Sequence, residues 1–359
     1  MKYHIDKTGA KPAYLQLYTQ LRTDIVQGVF SYGTKLPSKR LLAEELNISV
    51  ITVEHAYAIL CDEGYAESRQ RSGYYVIYRE GELLSVAEPI VLQSKNARTH
   101  TSEHTFPYTL LAGTMRKVLA DYGERILVKS PNHGCAELRT AISAYLARSQ
   151  GISVRAEQII IGSGAEYLYS LIAQMFRDER VFALEDPSYE KIRRVYLANG
   201  ITCEMLALGR DGIQSNALAR TNAGILHITP FESYPSGVTA SASKRAEYLR
   251  WAEKRGGILI EDNYNAELSV STKNEDSLFA LSQNGSVIYL NTFSQTVAPS
   301  LRVGYMVLPE RLTDTFDKTL GFYSCTVPVF DQYVLAELLQ SGDFERHINR
   351  VRRLKRKNF

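Results

Sequence analysis

Several features that commonly define a functional class are absent from this chain of 359 residues. No apolar run reaches the roughly 18 residues of a membrane span, and the N-terminus lacks the apolar core of a signal peptide. The cysteines are spaced like reduced thiols rather than a metal site or a disulfide framework: Cys61, Cys135, Cys203 and Cys325. These absences predict a cytoplasmic protein with no membrane partner.

Other chemistries are excluded in the same way. The sequence contains no Gly-x-Ser-x-Gly nucleophile elbow and no phosphate-binding Walker loop. Its histidines are dispersed without metal-ligand spacing, so no metal site is predicted; they include His55, His104, His133, His227 and His347. The net charge of +3 permits nucleic-acid binding without indicating it, because local clustering of charge is the informative signal.

The first 78 residues predict three short helices. Pro12 and Gly28 lie at the two ends of an amphipathic segment, as expected for one helix. Ser38 and Ser49 are placed to cap two further helices, and Asn47 suits the left-handed position between them. Two short helices joined by a tight turn are typical of a helix-turn-helix, whose second helix enters the major groove of DNA.

A short hairpin, or wing, is predicted for residues 64–76 because polar and apolar residues alternate around a Ser-Gly turn. Residues 1–78 contain nine Lys or Arg against eight Asp or Glu, so DNA contacts must be focused on few side chains. The candidates are Ser38, Lys39, Arg40, Ser49, Thr52, Arg69 and Arg71. The pattern alone leaves open a helical module that only packs on its neighbour.

The motifs of this segment resemble the winged domain of GntR-type regulators. They are Leu36-Pro37-Ser38-Lys39-Arg40, Thr52-Val53 with Ala56-Tyr57, and Gly64-Tyr65 through Gly73. The family commonly has Ser-Arg at the start of the recognition helix, where this chain has Ser49-Val50. The resemblance therefore implies double-stranded operator DNA as a partner, with an altered operator or an affinity lower by roughly 1–3 kcal/mol.

Residues 79–105 show no sustained period and are predicted to be a linker. In residues 106–359 short apolar strands alternate with helices, which predicts an α/β domain with a mostly parallel sheet covered on both faces. Ligands of such sheets bind beyond the carboxyl ends of the strands. Polar groups follow several predicted strands, although a glycine-rich turn, a core tyrosine or a turn-capping aspartate explains each one taken singly.

The stretch 291–305 contains a strand followed by Thr292, Ser294 and, further on, Arg302, which together can hold a phosphate by charge-assisted hydrogen bonds. This segment resembles the cofactor segment of fold-type-I aminotransferases and of the MocR regulators built from them. The order of the preceding motifs supports the resemblance over residues 106–350. The predicted architecture is thus an N-terminal winged helix-turn-helix (1–78), a linker (79–105) and a fold-type-I aminotransferase-like domain (106–359).

The resemblance also implies a binding site for pyridoxal phosphate or pyridoxamine phosphate. The residues at the positions that hold the phosphate are Ser163, Gly164, Ala165, Thr292, Ser294 and Arg302. Tyr189 would stack on the ring, Asp262 would pair with the protonated ring nitrogen, and Tyr264 would bond the ring hydroxyl.

Two positions depart from the family pattern. The lysine that forms the Schiff base is replaced by Gln295, whose amide cannot condense with an aldehyde, so any cofactor would be held noncovalently and turnover is not expected. Related proteins continue into a small C-terminal domain carrying a substrate-carboxylate arginine. Because this chain ends at Phe359 after a basic run, we expect a C-terminally truncated domain without that clamp.

These observations predict a GntR/MocR-type transcription regulator whose aminotransferase-like domain serves ligand sensing and dimerisation rather than catalysis. A homodimer and a small-molecule effector are the expected further partners. Two alternatives remain open. One is an active pyridoxal-phosphate-dependent aminotransferase with an accessory DNA-binding domain, against which Gln295 argues. The other is a degenerate product of a truncated gene.

Overall fold

The structure, a computed structural model, describes residues 3–6, 11–70, 72–78, 106–178, 181–269 and 276–357. These residues belong to two units, Met1–Arg98 and Thr99–Phe359. The predicted linker, 79–105, and Arg71 lie outside the described residues, so the predicted domain boundaries stay a prediction. Among the described residues, no helix is both long enough and apolar enough to cross a membrane.

The described part of the first unit has three helices and a hairpin: α1 (Ala13–Val26), α2 (Lys39–Leu46), α3 (Val50–Asp62), β1 (Ala66–Arg69) and β2 (Gly73–Val76). The predicted caps are confirmed. The Ser38 hydroxyl accepts the Leu41 N–H at 3.2 Å, and the Ser49 hydroxyl accepts the Thr52 N–H at 3.1 Å. Asn47 takes the left-handed conformation, with φ of 50°. Local capping chemistry therefore sets the helix-turn-helix boundaries.

Helix α3 buries one face and exposes the other. Val53, Ala56, Tyr57 and Leu60 are buried against the core of the unit. The Tyr57 hydroxyl donates to the carbonyl of Pro37 at 2.8 Å, which ties α3 to the turn before α2. On the opposite face Ile51, Glu54, His55 and Ala58 are exposed.

The described part of the second unit alternates strands and helices. Its strands are β3 (Ile159–Gly162), β4 (Val181–Asp186), β5 (Thr202–Gly209), β6 (Gly212–Ile213), β7 (Ile225–Ile228), β8 (Ile258–Asp262), β9 (Val287–Thr292) and β10 (Gly304–Val307). Its helices are α4 (Tyr108–Tyr122), α5 (Ala136–Gln150), α6 (Ala165–Met175), α7 (Glu190–Ala198), α8 (Ser215–Arg220), α9 (Ala242–Arg255), α10 (Leu278–Leu281), α11 (Glu310–Leu320), α12 (Val329–Gln340) and α13 (Asp343–Lys357).

Within the described residues these strands form one sheet in the order β3-β10-β9-β8-β7-β4-β5-β6. Strands β9, β8, β7, β4 and β5 are parallel neighbours, whereas β10 runs antiparallel between β3 and β9, and β6 is antiparallel to β5. The predicted mostly parallel α/β sheet is confirmed. The sequence did not predict β5, β6 or β10.

Both faces of the sheet are covered by helices. Ile159 and Ile161 of β3 contribute to one hydrophobic cluster with residues of α4, α5, α12 and α13. Ile160, between them, belongs to a second cluster with residues of α6, α7 and α11. Because successive side chains of a strand point to opposite faces, this division shows two apolar layers on the sheet.

Candidate functional site

A cavity of about 260 Å³ lies beyond the carboxyl ends of the parallel strands. Seven of the nine predicted cofactor residues line it, which places side chains from distant parts of the sequence around one space. The lining residues are Ala165, Glu166, Tyr169, Tyr189, Ile192, Thr229, Tyr234, Asp262, Tyr264, Thr292, Ser294, Gln295 and Arg302.

Strand β10 explains how Arg302 reaches this cavity. Gly304 is paired with Gly162 of β3 on one side and with Thr292 of β9 on the other. The chain just before Gly304 is therefore held between the two turns that were predicted to bind phosphate. Arg302 itself is left-handed, with φ of 47°, a conformation that is uncommon for residues other than glycine and clusters at functional sites.

Gly164 permits the close approach of the Arg302 guanidinium. A Cβ atom at Gly164 would lie 3.1 Å from Arg302 Nη2, and the backbone there has φ of +90°. Any larger residue would be strained by its backbone and crowded by the guanidinium. Because Gly164 has no side chain, it leaves room for the Arg302 guanidinium. Gly164 itself does not line the cavity.

Three of the other predicted phosphate residues, Thr292, Ser294 and Ala165, line the cavity together with Arg302. The Thr292 hydroxyl is 3.1 Å from the Ser294 hydroxyl and 3.0 Å from the Val303 carbonyl, and it accepts the Ser294 N–H at 3.2 Å. Ala165 begins α6, where N–H groups have no partner within the helix. Ser163 does not line the cavity; its N–H donates to the Thr326 hydroxyl at 3.2 Å.

Glu166, which the sequence did not single out, stands among these groups. Its Oε2 atom is 3.1 Å from Arg302 Nη2, and its Oε1 atom accepts a hydrogen bond of 2.8 Å from Lys191 Nζ. The two cations lower the pKa of Glu166, mainly through the hydrogen bond from Lys191. Conversely, the pKa of the Lys191 amine is raised by Glu166, so this amine beside the cavity stays charged.

The opposite end of the cavity is organised around Asp262, at the end of β8. Its Oδ2 atom accepts a hydrogen bond from the Tyr169 hydroxyl, and its Oδ1 atom accepts the Tyr264 N–H at 3.2 Å. Both Asp262 and Tyr169 are buried. Burial and the Asp262 charge raise the pKa of Tyr169, so its hydroxyl keeps the proton that it donates.

A second hydrogen-bonded pair lies behind Asp262. The Tyr196 hydroxyl is 2.7 Å from His227 Nδ1, and His227 Nε2 is 3.4 Å from Asp262 Oδ2. Burial raises the pKa of Tyr196, so its hydroxyl keeps its proton and can donate to Nδ1. Within the described residues His227 Nε2 has no hydrogen-bond partner, and it faces the carboxylate. Tyr196 and His227 are both buried and form part of the apolar and aromatic surroundings of Asp262.

The remaining lining residues complete a site for a flat ring. Tyr189 and Tyr234 are exposed at the cavity, with ring centroids 6.1 Å apart in an edge-to-face arrangement. Burial raises the pKa of Tyr264 to about 12, so its hydroxyl remains a donor, and it lies 3.4 Å from the Glu232 carbonyl. Gln295 lines the cavity and is exposed, and its amide offers no nucleophile.

The predicted DNA-binding residues that the structure describes lie at the starts of α2 and α3 and on the hairpin, and Arg71 lies outside the described residues. Ser38, Arg40 and Ser49 are exposed, and Thr52 is half-buried beside its cap. Lys39 Nζ is 2.6 Å from Glu54 Oε1 of α3, and Arg69 Nη2 is 2.7 Å from Glu67 Oε1. Lys39 and Arg69, two of the predicted contacts to the DNA backbone, are thus already ion-paired within the first unit.

The site fits the phosphorylated pyridine that the fold family uses, apart from covalent attachment. Cationic and hydroxyl donors at one end match a phosphate, and a buried, oriented carboxylate at the other matches a protonated ring nitrogen. The glycine that admits the Arg302 guanidinium supports the same assignment. Gln295 supplies no amine, so the fit is to a noncovalently held ligand.

Comparisons with known proteins identify both parts of the chain. Residues 13–76 match the bacterial regulatory proteins of the gntR family, and residues 89–358 match aminotransferase class I and II. The solved α-aminoadipate aminotransferase LysN of Thermus thermophilus, in complex with N-(5'-phosphopyridoxyl)-L-leucine, is 30% identical with a TM-score of 0.63, covering 70% of this chain and 65% of LysN. The class is a winged helix-turn-helix joined to a fold-type-I aminotransferase-like domain.

Whole-chain relatives share both parts. The uncharacterized HTH-type transcriptional regulator YdeL of Bacillus subtilis (strain 168) is 33% identical, covering 98% of this chain and 79% of YdeL. The probable rhizopine catabolism regulatory protein MocR of Rhizobium meliloti is 27% identical, covering 98% of this chain and 76% of MocR. The chain therefore belongs to the MocR-type GntR family of transcriptional regulators.

Several residues that contact the predicted site residues were not predicted from the sequence. Tyr169 was detectable in principle, because it lies four residues after Ala165 and so shares its helix face. His227 was set aside with the other histidines because it has no metal-ligand spacing. Nothing in the sequence indicates that Glu166, Lys191 and Arg302 meet.

Proposed function

We propose that this regulator binds operator DNA through its first unit, and that its second unit binds pyridoxal phosphate or pyridoxamine phosphate noncovalently as an effector without turning over a substrate. The observation that carries the proposal is the cavity in which Arg302, Ser294, Asp262 and Tyr189 face the same space as Gln295. A bound cofactor of this class would supply an electron sink for the α-carbon of an amino acid.

Each predicted cofactor residue has a role in binding. Arg302, Thr292 and Ser294, with Ala165 at the start of α6, bind the phosphate, and Ser163 and Gly164 form the turn that leads into this helix. Asp262 pairs with the ring nitrogen and Tyr264 orients the ring hydroxyl, while Tyr189 covers the ring face. These contacts hold and orient a ring but move no proton at its reactive carbon.

The absence of turnover is proposed from the amine chemistry of the site. Gln295 has no useful pKa and cannot act as a base or nucleophile. Lys191 is an amine beside the cavity, but it donates to Glu166 at 2.8 Å and its pKa is raised. A charged, ion-paired amine is a poor substitute for a free one.

DNA binding is assigned to the exposed face of the first unit, with Ser38, Lys39, Arg40, Ser49, Thr52, Arg69 and Arg71 as contacts. The wing and the helix starts reach phosphates, and α3 reads base edges. A homodimer would match a two-part operator. Exposed apolar side chains on the second unit, among them Tyr108, Leu127 and Phe322, are candidates for the subunit interface.

Ligand binding is tested by the thermal shift of the full chain with pyridoxamine phosphate, which has no aldehyde and so cannot attach to surface lysines. A ligand at 100 times its Kd stabilises the folded state by about 2.7 kcal/mol. The matched variant is Gln295→Lys. We expect pyridoxal phosphate to become fixed by borohydride on Q295K and to dialyse away from the wild type.

Two results would contradict this proposal. Borohydride-stable attachment to the wild-type cavity would favour the aminotransferase alternative. The DNA assignment fails if the protein shows no salt-dependent, sequence-preferring binding to the promoter region of its own gene.

A further inference from the structure

The phosphate end of the cavity already contains a carboxylate of the chain itself. Glu166 lies in the first turn of α6 and lines the cavity. Its two oxygens are divided between two cations, with Lys191 Nζ at 2.8 Å and Arg302 Nη2 at 3.1 Å. The guanidinium that a phosphate ester would need is thus paired with an internal anion.

A carboxylate and a phosphate can be bound by the same groups at this end of the cavity. Both accept the forked N–H groups of a guanidinium, and both are favoured at the N-terminus of a helix. A phosphate ester brings nearly two negative charges at neutral pH. Placed beside ionised Glu166, it would meet a like charge within a few ångströms, which disfavours binding.

The position of Arg302 makes the competition direct. Its backbone is held left-handed between β9 and β10, and its guanidinium lies against Gly164, where a Cβ atom would be only 3.1 Å from Nη2. Glu166 follows two residues later at the start of the same helix. A phosphate that the Arg302 guanidinium bound beside Gly164 would therefore lie close to the Glu166 carboxylate.

We propose that Glu166 is a built-in competitor for the phosphate subsite, which lowers the affinity of the cavity for phosphorylated pyridine ligands. This inference rests on the proposed function of the cavity. It assigns Glu166 as the residue that sets how much phosphorylated ligand is needed to occupy the regulator. The remaining contacts, at Asp262 and Tyr264, are not affected by the competition.

The test compares wild-type protein with Glu166→Gln, which keeps the shape and removes the charge. The probes are pyridoxamine phosphate and pyridoxamine, which differ only in the phosphate, with Kd measured by calorimetry on the full chain. We expect E166Q to bind pyridoxamine phosphate about 5- to 10-fold more tightly, as removal of one nearby like charge implies. The Kd for pyridoxamine should be unchanged.

Glu190→Gln is the matched control. Glu190 starts the neighbouring helix α7 and pairs with Arg193 and Arg194 at 3.6 and 3.2 Å, and it does not line the cavity. The E190Q variant changes the net charge by the same amount, so an equal gain in both variants would mean a general charge effect and overturn the proposal. Thermal unfolding without ligand verifies that both variants fold.

The remaining outcomes separate this inference from the proposed function. If wild type binds pyridoxamine phosphate and E166Q binds it equally or more weakly, Glu166 only positions Arg302, and the competitor role is wrong while the cavity assignment stands. If E166Q binds and wild type does not, the competitor role is supported in its strongest form, and the proposal that the wild-type chain uses this ligand as an effector fails. If neither protein binds the phosphorylated probe, the cavity assignment fails, and the competitor role fails with it.

Discussion

The two units differ in how they present their functional side chains. At the start of α3, Val50 and Ile51 are 40% and 66% exposed, and Lys39 and Arg69 lie in exposed ion pairs. In the second unit, Asp262 and Tyr169 are each only 2% exposed. The candidate DNA contacts of the first unit lie on a surface that contributes little to folding. The proposed ring-binding end of the second unit is built from side chains that are already buried in the fold.

This difference has a physical consequence. Exposed ion pairs contribute little to stability, so the first unit can change its DNA contacts at little folding cost. Buried polar groups must keep their partners, since an unpaired one costs about 1–3 kcal/mol. Changes at the ring-binding end should therefore alter stability and binding together, and changes at the DNA surface should alter binding alone.

The largest effect is expected for Asp262→Ala. This change leaves the Tyr169 hydroxyl and the Tyr264 N–H without their acceptor in a buried place. We expect the free energy of unfolding of the second unit to fall by about 3–5 kcal/mol, measured by urea denaturation. Arg69→Ala in the first unit is the comparison and should cost no more than about 0.5 kcal/mol. Equal losses would remove the distinction between the units.

A somewhat smaller effect is expected from the buried carboxyl of Glu185, at the end region of β4. Its partner is the Ser233 hydroxyl, at 2.6 Å from Oε2. Burial raises the pKa of Glu185 to about 7, and the Asp262 charge adds to this. The folded chain then holds a proton that the unfolded chain has already released, so stability falls as pH rises from about 4.5 to 7.

Glu185→Gln should abolish that dependence. We expect E185Q to be more stable than wild type by about 2–3 kcal/mol at pH 8 and equal to it below about pH 4.5, measured by denaturation across the pH range. Glu157→Gln, at an exposed position, is the control and should follow the wild-type profile. A pH-independent difference between E185Q and wild type would refute the assignment.

The smallest effect on folding is expected at Val50, where the GntR pattern commonly has arginine. Val50→Arg should restore a contact to DNA and raise affinity about 5- to 10-fold, with stability changed by no more than about 0.5 kcal/mol. Fluorescence anisotropy with promoter DNA measures the affinity, and Val50→Gln controls for side-chain length. A gain shared by both variants would show that charge at this position is irrelevant.

Much of the fold was open to prediction because its signals are local. The caps at Ser38 and Ser49, the left-handed Asn47 and the alternation of strands with helices depend on neighbours within a few residues. Strand β10 was missed because its short apolar run carries no sign of its antiparallel insertion between β3 and β9. Strand pairing is a property of the whole sheet.

The sequence by itself determined the two-part architecture, the polar residues at the strand ends and the presence of Gln295 in the segment that follows β9. Only the tertiary structure decided which of these groups meet and what else stands among them. Tyr169 reaches Asp262 across 93 positions, and Glu166 reaches Arg302 across 136. Such pairs depend on the order of strands in the sheet, which no local pattern of apolar and polar residues encodes. The meeting of the Glu166 carboxylate with Arg302, in the proposed phosphate subsite, is therefore a feature of the tertiary structure.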